Sequence, residues 1–177
     1  CDPGVADGDT GQRQEDPTML RIGVISDTHN LLRPEATSFL RGCDHILHAG
    51  DVCGSEVLDA LRTIAPLTVV RGNNDRGEWA HGIARTELVA LGGVYFHIVH
   101  DIADLDIDPV AVGVRVVVSG HSHQPSILER QGVLYLNPGS AGPRRFKLPV
   151  TAAEVVVEGT SVVARTQLLV DPATGAR

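Results

Sequence analysis

Five short stretches place Asp, Asn or His directly after an apolar run: Ser26-Asp27-Thr28-His29, Ala49-Gly50-Asp51, Gly72-Asn73-Asn74-Asp75, His100-Asp101 and Gly120-His121-Ser122-His123. Carboxylate oxygen, amide oxygen and neutral imidazole are donors that divalent metals accept, and a thiolate-free mixture of N and O suits Mn, Fe or Zn better than Mg or Ca. One Asp-x-His or Gly-Asp pair means little alone; Gly8-Asp9 near the start is such a chance pair. Recurrence at five strand ends is far more specific. His121 and His123 are alternate residues at a strand end and are expected to point the same way. Gly50, Gly72 and Gly120 let the backbone turn where ligands must converge.

The elements that carry these residues alternate. Leu20–Ser26, Asp44–His48 and Leu67–Arg71 read as near-continuously apolar strands, as in a parallel sheet covered on both faces. Between them lie two helical segments, Pro34–Arg41 with Pro in its first turn and Ser55–Ile64 with Ser55 as N-cap. Glu87–Leu91 and Val94–Val99 read as a hairpin about Gly92-Gly93; Val114–Val118, Ile127–Arg130 and Val133–Leu136 follow as strands, the last two joined by Gln131-Gly132. Thr151–Val157 and Ser161–Leu169 close the chain as a hairpin around Gly159. The expected fold class is α/β, a four-layer α/β/β/α sandwich of two mixed sheets flanked by helices. Chemistry in such folds collects beyond the carboxyl ends of the strands.

The chain has 177 residues, 42% hydrophobic and 21% charged, with a net charge of −7, and a mean hydropathy of +0.03. These values fit one globular domain with an adequate core rather than a disordered chain. Residues 1–18 are rich in Gly, Asp, Gln and Pro and are expected to be a disordered extension, with the domain over 19–171 and a tail at 172–177. Asp2, Asp7, Asp9, Glu15 and Asp16 against Arg13 put −4 in the extension, leaving −3 for the rest. That balance argues against general nucleic-acid or membrane-surface binding, and the longest apolar runs are too short to span a bilayer. Cys1, Cys43 and Cys53 form no CxxC pair, and Cys43 and Cys53 read as small buried residues beside strands in a cytoplasmic protein.

Asp27-x-His29, His48-Ala-Gly-Asp51, Gly72-Asn73, His100-Asp101, Gly120-His121-x-His123 and Asn137-Pro-Gly-Ser140, in that order, resemble the calcineurin-like metallophosphoesterase superfamily. Within it the chain is similar to the small YfcE-type bacterial and archaeal phosphodiesterases, which are related to the retromer subunit Vps29. The resemblance implies a metal-dependent phosphoric diester hydrolase with two divalent ions, Mn²⁺ foremost and Fe, Zn, Ni or Mg as alternatives. Asp27, His29, Asp51 and His123 would hold the first ion; Asp51 would bridge to the second, completed by Asn73, His100 and His121. Such a pair acidifies a shared water and aims the hydroxide in line at phosphorus. Asp51, Asn73, His100 and Asn74 are the candidate catalytic residues, with Asn74 standing where many relatives have a His that protonates the leaving group. Where relatives continue Gly-Asp-x-x-Asp, this chain has Gly54; where they have His-Gly-His, it has His100-Asp101-Ile102.

The implied partner is a small phosphodiester, and a homo-oligomer is compatible with the sequence. Two other readings use the same residues: a phosphomonoesterase or nucleotidase, and a Vps29-like interaction scaffold with weak or no activity. Beyond the core motifs, His48 is expected to be a satisfied core histidine, and His45, His81 and His97 structural or solvated. Asp75 either orients Asn73 or His100 or caps its loop. Asp101, Asp104, Asp106 and Asp108 read as a solvated acidic face, lacking the Gly and terminal Glu of a calcium loop. Asn137–Ser140 is a turn that frames the pocket or merely reverses the chain, and Arg71, Arg144 and Arg145 are candidates to grip a phosphate. Trp79 either lines the pocket or packs beneath its loop.

Overall fold

A computed structural model describes residues 19–171. The expected extension at 1–18, with Cys1, and the tail at 172–177 lie outside the described residues. Ten strands form two five-stranded sheets. The first is built from β1 (Leu20–Ile25), β2 (His45–His48), β3 (Leu67–Val69), β9 (Val150–Glu158) and β10 (Ser161–Val170), in the order β10-β9-β1-β2-β3. The second holds β4 (Thr86–Leu91), β5 (Val94–Val99), β6 (Val116–Val118), β7 (Ser126–Arg130) and β8 (Val133–Asn137), in the order β4-β5-β6-β8-β7. Both are mixed: β1, β2 and β3 run parallel, as do β5, β6 and β8, with antiparallel strands outside them.

Strand alternation sorts the apolar side chains. Ile22, Val24, Leu47 and Ala49 meet Phe96, Ile98, Val116, Val118 and Leu136 between the sheets, while Ile25 and Ile46 face the helices. Helices α1 (Pro34–Leu40) and α2 (Ser55–Arg62) cover that outer face, sending Ala36, Leu40, Val57, Leu58 and Leu61 into it. Phe96 is the largest fully buried side chain, and truncating such a ring typically costs about 3–5 kcal/mol. The outer face of the second sheet is covered differently. A short 3₁₀ turn (Ile102–Asp104) and the segment after it lay Leu105 and Ile107 on Val114, Val117 and Val133.

The expected turns hold: Gly92 and Gly93 take φ of 59° and 78°, and Gln131 and Gly132 take 51° and 77°, the left-handed pair that matches strand twist. Two local details differ. Ser55 is the first residue of α2, not its cap; Gly54 holds the N-cap, where a Cβ would run into the Asn30 side chain. A short helix, α3 (Glu78–His81), lies in a loop where the sequence shows no helical period, and its Trp79 packs on the helix-side core. Among the described residues no helix is long and apolar enough to cross a membrane.

Registers put the strand ends side by side. Ile25 pairs with His48, His48 with Val69, and Val118 with both Ile98 and Leu136. The loops after β1 and β2 then zip together, with Asp27, His29 and Asn30 N–H donating to the carbonyls of Gly50, Asp51 and Val52. Gly120 N–H donates to His100 O, joining two loops of the second sheet, and Ala141 N–H donates to Ser26 O, tying the loop after β8 to the end of β1.

Candidate metal centre

Every expected ligand comes to this one edge. Asp27, His29 and His123 each offer a donor atom in one mutually close group, and Asp27, Asp51 and His100 form another. Asp27 Oδ1 lies 3.3 Å from His123 Nε2 and 3.9 Å from His29 Nε2. Asp51 Oδ2 is 3.8 Å from His29 Nε2 and its Oδ1 3.5 Å from His100 Nε2, so this carboxylate spans both groups. Asn73 Oδ1 lies 3.0 Å from His100 Nε2 and 3.1 Å from His121 Nδ1.

Backbone strain aims these side chains. Asp27, His29, Asp51, His121 and His123 all take positive φ, between 44° and 66°, a conformation disfavoured for any residue with a Cβ and concentrated at functional sites. The expectation that His121 and His123 point the same way fails for this reason. They lie in a left-handed turn beyond β6 rather than on an extended strand, so His123 reaches Asp27 while His121 reaches Asn73 and Asp101. Gly72 is required by close approach: a Cβ there would strike Asp51 Oδ1 and its backbone nitrogen.

Several groups hold the carboxylates. Ser26 Oγ donates to Asp27 Oδ2 at 2.6 Å and His121 N–H to the same oxygen at 3.1 Å. Asn74 donates from its backbone N–H to Asp51 Oδ1 (2.8 Å) and from its side-chain amide to Oδ2 (2.6 Å). Burial works to raise the Asp51 pKa, but the His100 ring, which donates to it when protonated, and the Asn74 hydrogen bonds outweigh it and hold the carboxyl below the usual range. Asp27 is lowered in the same way, burial being overcome by His123 and Ser26. Asp75 caps rather than orients a ligand. Its Oδ2 accepts from Asp51 and Gly72 N–H and its Oδ1 from Cys53 N–H, stapling the β2 and β3 loops. Asn137 likewise frames the histidine turn, donating to Gly120 O and Ser122 Oγ, and Ser140 Oγ donates to Asp27 O.

Two histidine tautomers follow from their partners. The Ala49 carbonyl, 2.7 Å away, can only accept, so His100 Nδ1 carries a proton. Neutral His100 therefore turns its Nε2 lone pair toward oxygens of Asn73 and Asp51. Burial lowers its pKa, but Asp51 and the Ala49 carbonyl raise it further, and the net shift is upward. His48 is the expected core histidine. Fully buried, it accepts from Gly50 N–H at Nδ1 and donates from Nε2 to Thr28 Oγ1, and burial lowers its pKa to about 4. His45 bonds Thr68 Oγ1 and is structural.

This geometry fits a cation. Asp27 Oδ1 and His123 Nδ1 are buried yet without hydrogen-bond partners, and leaving such atoms unpaired costs about 1–3 kcal/mol apiece. Among the described residues no Lys or Arg pairs with the buried Asp27 or Asp51; their close basic neighbours are histidines. Lone pairs converge where positive charge is missing.

Three residues depart from the sequence reading. Cys53 is a half-buried residue at φ 62°, its Sγ 3.5 Å from His29 Nδ1, rather than a buried strand neighbour. Asp101 is not merely a solvated charge: its Oδ2 lies 3.6 Å from His121 Nε2 while Oδ1 caps the 3₁₀ turn. Arg145 reaches back across the site, Nη2 3.1 Å from His29 Nε2. None of these contacts leaves a periodic signature in the sequence.

Two face-packed mixed sheets with Asp, Asn and His gathered at one edge define the metallophosphoesterase class of α/β protein. The chain belongs to the calcineurin-like phosphoesterase superfamily, whose domain matches residues 20–160, a family that binds divalent metal ions. It is 37% identical over 142 residues to a probable metallophosphoesterase of Methanothermobacter thermautotrophicus, covering 73% of this chain and 82% of that protein. Among solved structures it is similar to a Vps29 single mutant from Entamoeba histolytica, with TM-score 0.73 and 25% identity over 86% of this chain and 94% of that one. It is also similar to an archaeal phosphodiesterase, with TM-score 0.69 and 23% identity, over 84% of this chain and all of that one.

Proposed function

We propose that the protein is a divalent-metal-dependent phosphodiesterase acting on a small diester at a dinuclear centre. The buried Asp27 Oδ1, without a hydrogen bond and set between His29 and His123, carries the reading, supported by Asp51 spanning to His100. Asp27, His29, Asp51 and His123 would hold one ion, and Asp51, Asn73, His100 and His121 the other. Bound there, Mn²⁺ or a similar ion supplies Lewis acidity and brings the pKa of a water near neutrality. The chain's own part is placement. Asn74 fixes both Asp51 oxygens, and Asp75 fixes the loops beneath. Arg145 gives up His29 Nε2 when that nitrogen binds a cation, and its guanidinium is then free for a phosphate oxygen. The Asn74 amide is far too weak an acid to protonate a leaving group, so water serves that step and good leaving groups are favoured. Free Cys43 and Cys53 fit the same reading in a reducing cytoplasm.

The test is hydrolysis of bis(4-nitrophenyl) phosphate by metal-stripped protein before and after Mn²⁺, with 4-nitrophenyl phosphate alongside. Metal-dependent turnover favouring the diester is expected. Preference for the monoester would make the protein a phosphomonoesterase. The similarity to Vps29 favours a scaffold as the second reading, and no turnover with two ions bound would select it.

A further inference from the structure

A cavity of about 440 Å³ opens directly off the Asn73, His100 and His121 side of the centre, within the range of small-ligand pockets. Its lining carries both signs of charge. Arg71 and Arg85 line it, brought near one another because Arg71 N–H donates to Ala84 O, and Asp101, Asp104 and Asp106 line it as well. Among the described residues neither arginine makes an ion pair, although three carboxylates line the same space. A second cavity continues past Arg71 and Arg85 to Arg76 and His81. Basic groups thus gather at one rim of a chain whose net charge is −7.

We infer that this cavity is a subsite for the substrate's second arm, and that the arm is a sugar or polyol bearing its own phosphate. Arg71 and Arg85 hold the terminal phosphate, where planar guanidinium donors match phosphate oxygens. Asp104 and Asp106 accept hydrogen bonds from the hydroxyls; Asp101 is already engaged by Ala103 N–H and His121. Apart from the two histidines of the centre, no aromatic ring lines the cavity. A nucleobase would find nothing else to stack on, whereas a hydroxylated chain finds acceptors. The assignment of the arm to a diester rests on the phosphoesterase reading; the ligand class rests on the cavity itself.

The two are separated by titrating ribose 5-phosphate into the metal-stripped full chain by calorimetry, with ribose and inorganic phosphate as controls. Without metal, the carboxylates of the centre repel an anion, so binding reports the arginine rim. Ribose 5-phosphate is expected to bind roughly tenfold more tightly than either control. Arg71→Ala and Arg85→Ala should each lose about tenfold, Arg71→Lys less. Arg165→Ala, the same charge removed from exposed β10, should lose nothing. Asp104→Ala with Asp106→Ala should erase the preference over inorganic phosphate while the phosphate itself still binds. Melting curves check that each variant folds. Equal affinity for inorganic phosphate would overturn the polyol, and loss in Arg165→Ala equal to that in Arg71→Ala would overturn the site. Absence of binding alongside Mn²⁺-dependent turnover of the bis-aryl diester would overturn the subsite and leave the phosphodiesterase intact. Binding without turnover supports the sugar-phosphate site and overturns only the activity.

Discussion

The two proposed ion sites share Asp51 but differ in environment. Asp27 and His123 are buried, and their free donor atoms have no hydrogen-bond partner. Asn73 and His121 are exposed, already bond one another, and border a cavity that widens toward two arginines. The first must release Arg145 from His29 Nε2 to take an ion. The second pairs its own atoms when empty and must give up those bonds to bind an ion. On the proposed reading, burial makes the first ion site closed and tight and the second open and weaker, and the substrate arm enters at the open one.

Asp51→Asn attacks what the groups share. It should lower turnover by roughly a thousandfold or more, beyond the 10–100-fold of outer partners, and weaken both binding steps in calorimetry. Turnover retained with two ions bound would remove Asp51 from between the groups. The next pair of variants sharpens the contrast. Asp27→Ala should remove the tighter Mn²⁺ step, whereas Asn73→Ala should spare it and weaken only the second; the same loss in both would contradict two unlike sites. Asn74→Ala, which releases Asp51 Oδ2 while the backbone N–H still holds Oδ1, is expected to cost about 10–100-fold in turnover with the fold intact.

The smallest effect is on stability against pH, measured by melting the metal-free protein. His48 titrates at about 4 in the fold against 6.5 unfolded. The unfolded chain binds more protons in that window, so stability is full above about 6.5 and falls as pH drops toward 4, by about 3 kcal/mol at most. His29, His45 and His97, also lowered by burial, act in the same direction. His100, raised, acts oppositely, its contribution fading as pH rises through its folded value. His48→Gln should flatten the dependence between pH 7 and 5. An unchanged slope would mean that His48 is not held neutral.

The same contrast explains what the sequence could reveal. Asp27, His29, Asp51, Asn73, His100, His121 and His123 were legible because parallel strands deliver their last residues to one edge, a rule of period and topology. Their aim was not, because five of them take left-handed backbone that no glycine announces. Asp75 as a backbone staple, Cys53 beside His29 and Arg145 reaching His29 depend on loop paths between distant segments. The cover of the second sheet escaped for a related reason: Leu105 and Ile107 are spaced like a strand yet belong to a loop fastened by a 3₁₀ turn.

The most direct test is Mn²⁺ titration of the metal-stripped chain, with bis(4-nitrophenyl) phosphate turnover followed at each addition. Two equivalents should bind, the first more tightly, and turnover should rise only as the second binds. Full turnover at one equivalent, or none at two, would contradict a dinuclear phosphodiesterase.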